Sequence, residues 1–194
     1  NMTHLKRAYF ALTVLALLLL SINGFSQDAA TRTNLNVNKV YYPSYGVMER
    51  SRPPFPKVGE YEVLLCDFHT HTIFSDGLVW PDIRVSEAWT EGLDAIAITD
   101  HGSMYGAIDF YMACKKEGIK PIIGCEVYTA ARTRFDKEAA YDKNQGHLVL
   151  LAKDREGYVN LIKIVSAAYT EGFYYKPRVD HDLLRSHSKG LIAL

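Results

Sequence analysis

From Tyr61 onward the sequence predicts an α/β fold in which helices cover a parallel sheet. Three observations carry that expectation. Short continuous apolar runs, expected of strands buried on both faces, alternate with segments whose apolar residues recur near every 3.6 positions. No glycine-rich turn follows the first run, so the dinucleotide-binding signature of many open doubly wound sheets is absent. Histidines and acids gather where successive runs end, the rim at which parallel barrels build their sites. A complete barrel takes about 250 residues. Residues 61–194 stop short of that on a bare apolar run, so the architecture reads as unfinished.

The elements follow in order. "YEVLLCDFHTH" (61–71) reads as a first buried strand, and "WPDIRVSEAWTEG" (80–92) as a helix with Pro81 in its first turn and Gly92 at its stop. "DAIAITDH" (94–101) is the second strand, and "SMYGAIDFYMACKKEG" (103–118) a helix with a basic end before Gly118. "IKPIIGCEVY" (119–128) is a third strand, followed by a polar excursion over 129–146. "HLVLLAK" (147–153) is the fourth, and residues 154–172 form a helix that Asp154 caps. A short helix over 182–186 and a fifth strand, "LIAL" (191–194), complete the series.

The first sixty residues read differently. Lys6 and Arg7 precede an apolar run from Ala8 to Leu20, then Gly24 and Ser26 sit at small-residue positions before Gln27. This is the pattern of a secretory signal over 1–26, too short for a stable membrane span, which needs about 20 apolar residues. An uncleaved anchor is the alternative; either implies export. Asn1 ahead of Met2 fits an open reading frame or a fragment. Residues 27–60 carry Pro43, Pro53, Pro54 and Pro56 without an apolar period, and read as an extended leader or linker. Lys plus Arg and Asp plus Glu both number 22, so net charge points to no nucleic-acid partner. Cys66, Cys114 and Cys125 are too few for a disulfide framework and read as three buried thiols, with one 114–125 bridge as the alternative in an oxidising compartment.

The chemistry concentrates in "DFHTHTIFSDG" (67–77). Residues i and i+2 of a strand share a side, so His69 and His71 form a bite for a divalent ion, which Asp76 could reach from the following turn. The second strand ends in "TDHG": His101 is a further candidate, with Asp100 placed to accept a ring N–H and fix a tautomer. The alternative for "TDHG" is a helix N-cap built from Thr99 and Asp100. Glu126, near the exit of the third strand between Cys125 and Val127, is costly to bury without a cation or partner. His147 opens the fourth strand, which in an all-parallel barrel puts it at the opposite rim. His181 and His187 read as surface; Lys176 and Arg178 could bind a phosphate or a backbone, but after an aromatic cluster they read first as packing residues with snorkelled charges.

The ordered set "HTHT…SDG", "ITDHG" and "GCEVY" resembles the PHP family, the polymerase-and-histidinol-phosphatase domain, from about Val63 to Leu194. The resemblance implies a distorted seven-stranded (β/α) barrel, here truncated after about five strands, so that 61–194 would be a partial PHP domain. It implies two or three divalent ions (Zn, Mn or Fe) on His69, His71, Asp76, His101 and Glu126, with His147 matching a further histidine of the polymerase branch. The family's later ligands, a Cys or His and a final Asp-x-His, have no counterpart up to Leu194, which implies an incomplete cluster and low turnover. Up to His101 the chain is similar to exported stand-alone PHP proteins. From "GSMYGAIDFYMACKKEGIKPIIGCEVY" through "AAYTEGFYYKPRVD" it resembles the amino-terminal PHP domain of bacterial DNA polymerase III alpha subunits.

The implied chemistry is hydrolysis of a phosphate ester through a metal-bound hydroxide. Three functions follow from it. The first is an exported phosphoesterase acting on a phosphorylated small molecule or nucleotide. The second is a cytoplasmic PHP module of a polymerase alpha subunit, trimming DNA 3′ ends or serving as a scaffold, with DNA as partner only in that case. The third is an inactive structural relative.

Overall fold

The computed structural model describes residues 31–33, 39–41 and 50–194; the predicted signal over 1–26 and most of the leader, including Tyr42 and Tyr45, lie outside the described residues. The chain divides into two units, Asn1–Gly46 and Val47–Leu194. In the first, β1 (Thr31–Thr33) pairs antiparallel with β2 (Lys39–Tyr41).

The second unit begins with a stretch that the sequence assigned to the linker. Ser51 donates its N–H to the Thr90 carbonyl, and Arg52 meets Asp94 at 3.0 Å. Gly92 makes this approach possible: its φ is +82°, and a Cβ there would lie 2.4 Å from the Ser51 carbonyl oxygen.

Its sheet contains β3 (Cys66–Asp67), β4 (Ala95–Ile98), β5 (Lys120–Thr129), β6 (Gly146–Ala152) and β8 (Leu191–Ala193) in that order, with β7 (Arg178–Val179) pairing β5. The helices are α1 (Pro81–Thr90), α2 (Ala107–Glu117), the single turn α3 (Ala139–Asp142), α4 (Arg155–Thr170) and α5 (His181–Ser186). Local signals act as expected. Pro81 stands in the first turn of α1, Gly118 closes α2 in the left-handed conformation, and Asp154 accepts the Gly157 N–H at 2.9 Å to cap α4.

The sheet is mixed rather than wholly parallel. β3, β4 and the first half of β5 run parallel, whereas β6 pairs antiparallel with both β5 and β8. The reason lies in the connections. α1 and α2 carry the chain back to start each next parallel strand, but the polar excursion after β5 contains only one helical turn. The chain therefore turns at the C-terminal end of β5 and comes straight back. The first strand is also shorter than expected: only Cys66 and Asp67 pair with β4, and His69 and His71 follow beyond it, outside the strand.

Two cores result. One packs Val85, Ala88, Phe110 and Cys114 of the helices against Ile96 and Ile98. The other packs Leu161, Ile164, Val165 and Ala168 of α4 against Cys125, Val127, Leu150 and Val179. The thiols are free; burial pushes those of Cys114 and Cys125 up to about 12, so both are inert.

The excursion is held by Arg178. Its side chain is fully buried, and its guanidinium donates to the carbonyls of Arg134, Asp136, Asp142 and Gly172. Expected to snorkel, this charge is instead swallowed whole, because the returning loop brings four carbonyl oxygens to it. Asp142, also fully buried, accepts from Arg132 through both oxygens. Those hydrogen bonds hold its carboxyl down at about 2.

Candidate metal centre

The four candidate histidines converge on Glu126. Its Oε2 lies 3.3 Å from His69 Nε2, 3.1 Å from His71 Nε2 and 3.5 Å from His101 Nδ1, while Oε1 meets His147 Nδ1 at 2.5 Å. Asp76 closes the far side, with Oδ1 2.7 Å from His71 Nδ1 and Oδ2 3.3 Å from His101 Nε2.

His147 is reconciled by strand direction. Because β6 runs against β5, its beginning lies beside the end of β5, and His147 pairs with Tyr128 in register. The residue expected at the opposite rim therefore faces the site. His181 sits instead at the start of α5, beside a separate, mostly apolar cavity that Leu148, Leu184 and Leu191 line.

The protons can be placed from the neighbours. Thr99 spends its hydroxyl hydrogen on the Thr70 carbonyl at 3.0 Å, so toward His69 Nδ1, at 3.1 Å, it can only accept. Ser75 gives its hydrogen to Asp100, so His71 Nδ1 faces two acceptors, Asp76 and Ser75. These neighbours suit tautomers that carry hydrogen on Nδ1 and turn a bare Nε2 inward. The two Nε2 atoms and Glu126 Oε2 form a triangle with sides of 3.3, 3.1 and 3.3 Å. Ligands of a tetrahedral ion at 2.0–2.1 Å stand about 3.3 Å apart. Three acceptors at this spacing repel one another unless a cation sits among them.

His101 adds a second sign, since its Nδ1 is buried without a hydrogen-bond partner. Burial lowers the pKa of this ring against the opposing pull of Glu126 and Asp76, favouring the neutral form that can coordinate. Burial alone would raise the Asp76 carboxyl, but the opposing influences, led by the hydrogen bond from His71, outweigh it and hold it below the usual range. Among the described residues, three groupings could hold an ion: His69, His71 and Glu126; His71, Asp76 and His101; and His101, Glu126 and His147. The residues fit divalent metals.

Asp100 behaves differently from expectation. Its two oxygens accept from the Thr72 N–H at 2.6 Å, the Thr72 hydroxyl at 2.7 Å and the Ser75 hydroxyl at 2.6 Å. It pins the turn that carries Asp76, rather than touching a ring. Nor do Thr99 and Asp100 cap a helix, because α2 begins behind Gly106. The ring partner is Thr99, fully buried two residues before His101, where strand alternation gives it the same side. That alternation was the sequence signal for it.

The family model described as "PHP domain" matches residues 67–194. The chain is 56% identical over 112 residues to a DNA polymerase III subunit alpha of Chlamydia muridarum, covering 57% of this chain and 9% of that one. With the subunit alpha of Aquifex aeolicus it shares 47% over 134 residues, covering 65% of this chain and 12% of the other. The chain thus spans about a tenth of the length of these relatives. Among solved structures, a two-domain protein from Bacteroides vulgatus described as containing a predicted PHP-like metal-dependent phosphoesterase aligns with a TM-score of 0.44 at 29% identity. That alignment covers 62% of this chain and 37% of the other.

Proposed function

Since the chain belongs to the PHP domain family, we propose that it is a metal-dependent phosphoesterase whose ions are held by His69, His71, Asp76, His101, Glu126 and His147. The observation that supports this most is the triangle of two imidazole Nε2 atoms and one carboxylate oxygen, 3.1–3.3 Å apart, the spacing of ligands around one ion. Divalent ions such as Zn, Mn or Fe, two or three of them, would acidify a water and neutralise phosphoryl oxygens in such a site. The protein's own share is orientation. Thr99 and Asp76 fix the ring tautomers, Asp100 stiffens the turn that carries Asp76, and Glu126, buried at the strand exit, lies within reach of four histidines. A phosphorylated small molecule or nucleotide is the substrate class this chemistry serves, and the basic-then-apolar leader over 6–20 supports export.

A second reading rests on the identity to polymerase alpha subunits over the domain. In it the chain is a PHP module of such a subunit, cytoplasmic, with DNA as its partner.

Loading the purified chain with Mn(II) and following p-nitrophenyl phosphate tests the proposal. Weak, metal-dependent turnover is expected, and His69→Ala with His71→Ala should lose both turnover and bound metal, the latter by elemental analysis. Unchanged metal stoichiometry in the double variant overturns the ligand assignment.

A further inference from the structure

The metal centre consists of imidazoles and carboxylates, yet a phosphate ester is an anion that must be held in place before it reacts. We propose that Lys176 is the phosphate-binding arm of this site, an inference that rests on the phosphoesterase reading. Three independent features bring it there.

The first is its position. Lys176 Nζ lies 5.3 Å from the centre of the Tyr128 ring, and that ring stacks on His101 at 5.6 Å and meets His147 edge-on at 5.0 Å. One aromatic ring thus contacts both the ammonium and two of the candidate ligands. A cation over a tyrosine face is held weakly enough to turn toward an anion when one arrives.

The second is the backbone that delivers it. β7 takes up the edge of β5 beyond β4, pairing Arg178 with Tyr128, so the preceding loop arrives at the ligand rim. Tyr175 has φ +58°, left-handed and unfavourable for a residue with a side chain. The strained turn is closed by the Tyr174 N–H on the Lys176 carbonyl at 3.0 Å. Gly102, next to His101, has φ +59°, and a Cβ there would lie 2.8 Å from Pro177 and 3.2 Å from Tyr128. The absence of that atom lets the loop press against the rim.

The third is availability. Lys176 is exposed, and no ion pair engages it among the described residues. The neighbouring cation, Arg178, is committed to backbone carbonyls.

The test measures inorganic phosphate binding to the Mn(II)-loaded full chain by titration calorimetry, with bound Mn(II) counted separately. Lys176→Met should weaken phosphate binding about 10-fold or more, the loss of one charge-assisted hydrogen bond. Lys176→Arg should restore most of it, and both variants should keep the wild-type metal content and melting temperature. Equal phosphate affinity in wild type and Lys176→Met overturns the assignment while leaving the metal reading intact, as does a metal-loaded wild type that binds no phosphate. A wild type that takes up no Mn(II) overturns the phosphoesterase reading itself, and this assignment with it.

Discussion

The two halves of the sheet present ligands by opposite means. Around β3 and β4 the strands run parallel, helices return the chain, and His69, His71 and His101 all follow strand ends. Around β6 and β8 the strands run antiparallel, a polar excursion replaces the crossover helix, and His147 precedes most of its strand. Each half has its own apolar cluster, and Glu126 on β5 belongs to the boundary. A site of this kind depends on all ligands reaching one rim, not on uniform strand direction. Reversing a strand moves its useful end from last residue to first.

The comparison can be broken most severely in the antiparallel half. Arg178→Met leaves four carbonyls without their charged donor, and should cost about 3–5 kcal/mol, read from the midpoint of urea unfolding. A loss below about 1 kcal/mol would show that the excursion does not depend on this residue. In the parallel half the expected effect is smaller and falls on the metal rather than on the fold. Thr99→Val removes the acceptor that orients His69, so Mn(II) affinity measured by chelator competition should fall about 10- to 100-fold. Affinity unchanged from wild type would mean the ring is fixed by something else.

The smallest effect is acid sensitivity. The Asp142 carboxyl is held at about 2 by Arg132 in the folded chain, against about 3.9 when unfolded. Its contribution is therefore full above about pH 4 and is lost as pH falls through about 2. Amide exchange over residues 130–145 should quicken across that window, and Asp142→Asn should remove the dependence. Equal pH profiles in the two proteins would count against this link.

Strand positions were readable from the sequence because burial on both faces writes an unbroken apolar run, and a polar residue within it or just after it must be explained. Hence His71, His101 and Glu126 stood out. Direction was not readable, since "HLVLLAK" has the same pattern whichever way it runs. His147 was therefore assigned to the far rim. Thr99, Asp100 and Arg178 were misread for a related reason. Their hydrogen bonds reach Thr70, Thr72, Ser75 and the 134–142 backbone, partners too far along the chain for local spacing to reveal.

The seat of Glu126 has a mechanical consequence. One carboxylate oxygen looks toward imidazoles rooted in the first apolar cluster, and the other toward His147, rooted in the second. A cation bound on either side would act as a rivet through the seam, so loading it should raise the melting temperature of the whole unit and stiffen the two clusters against each other.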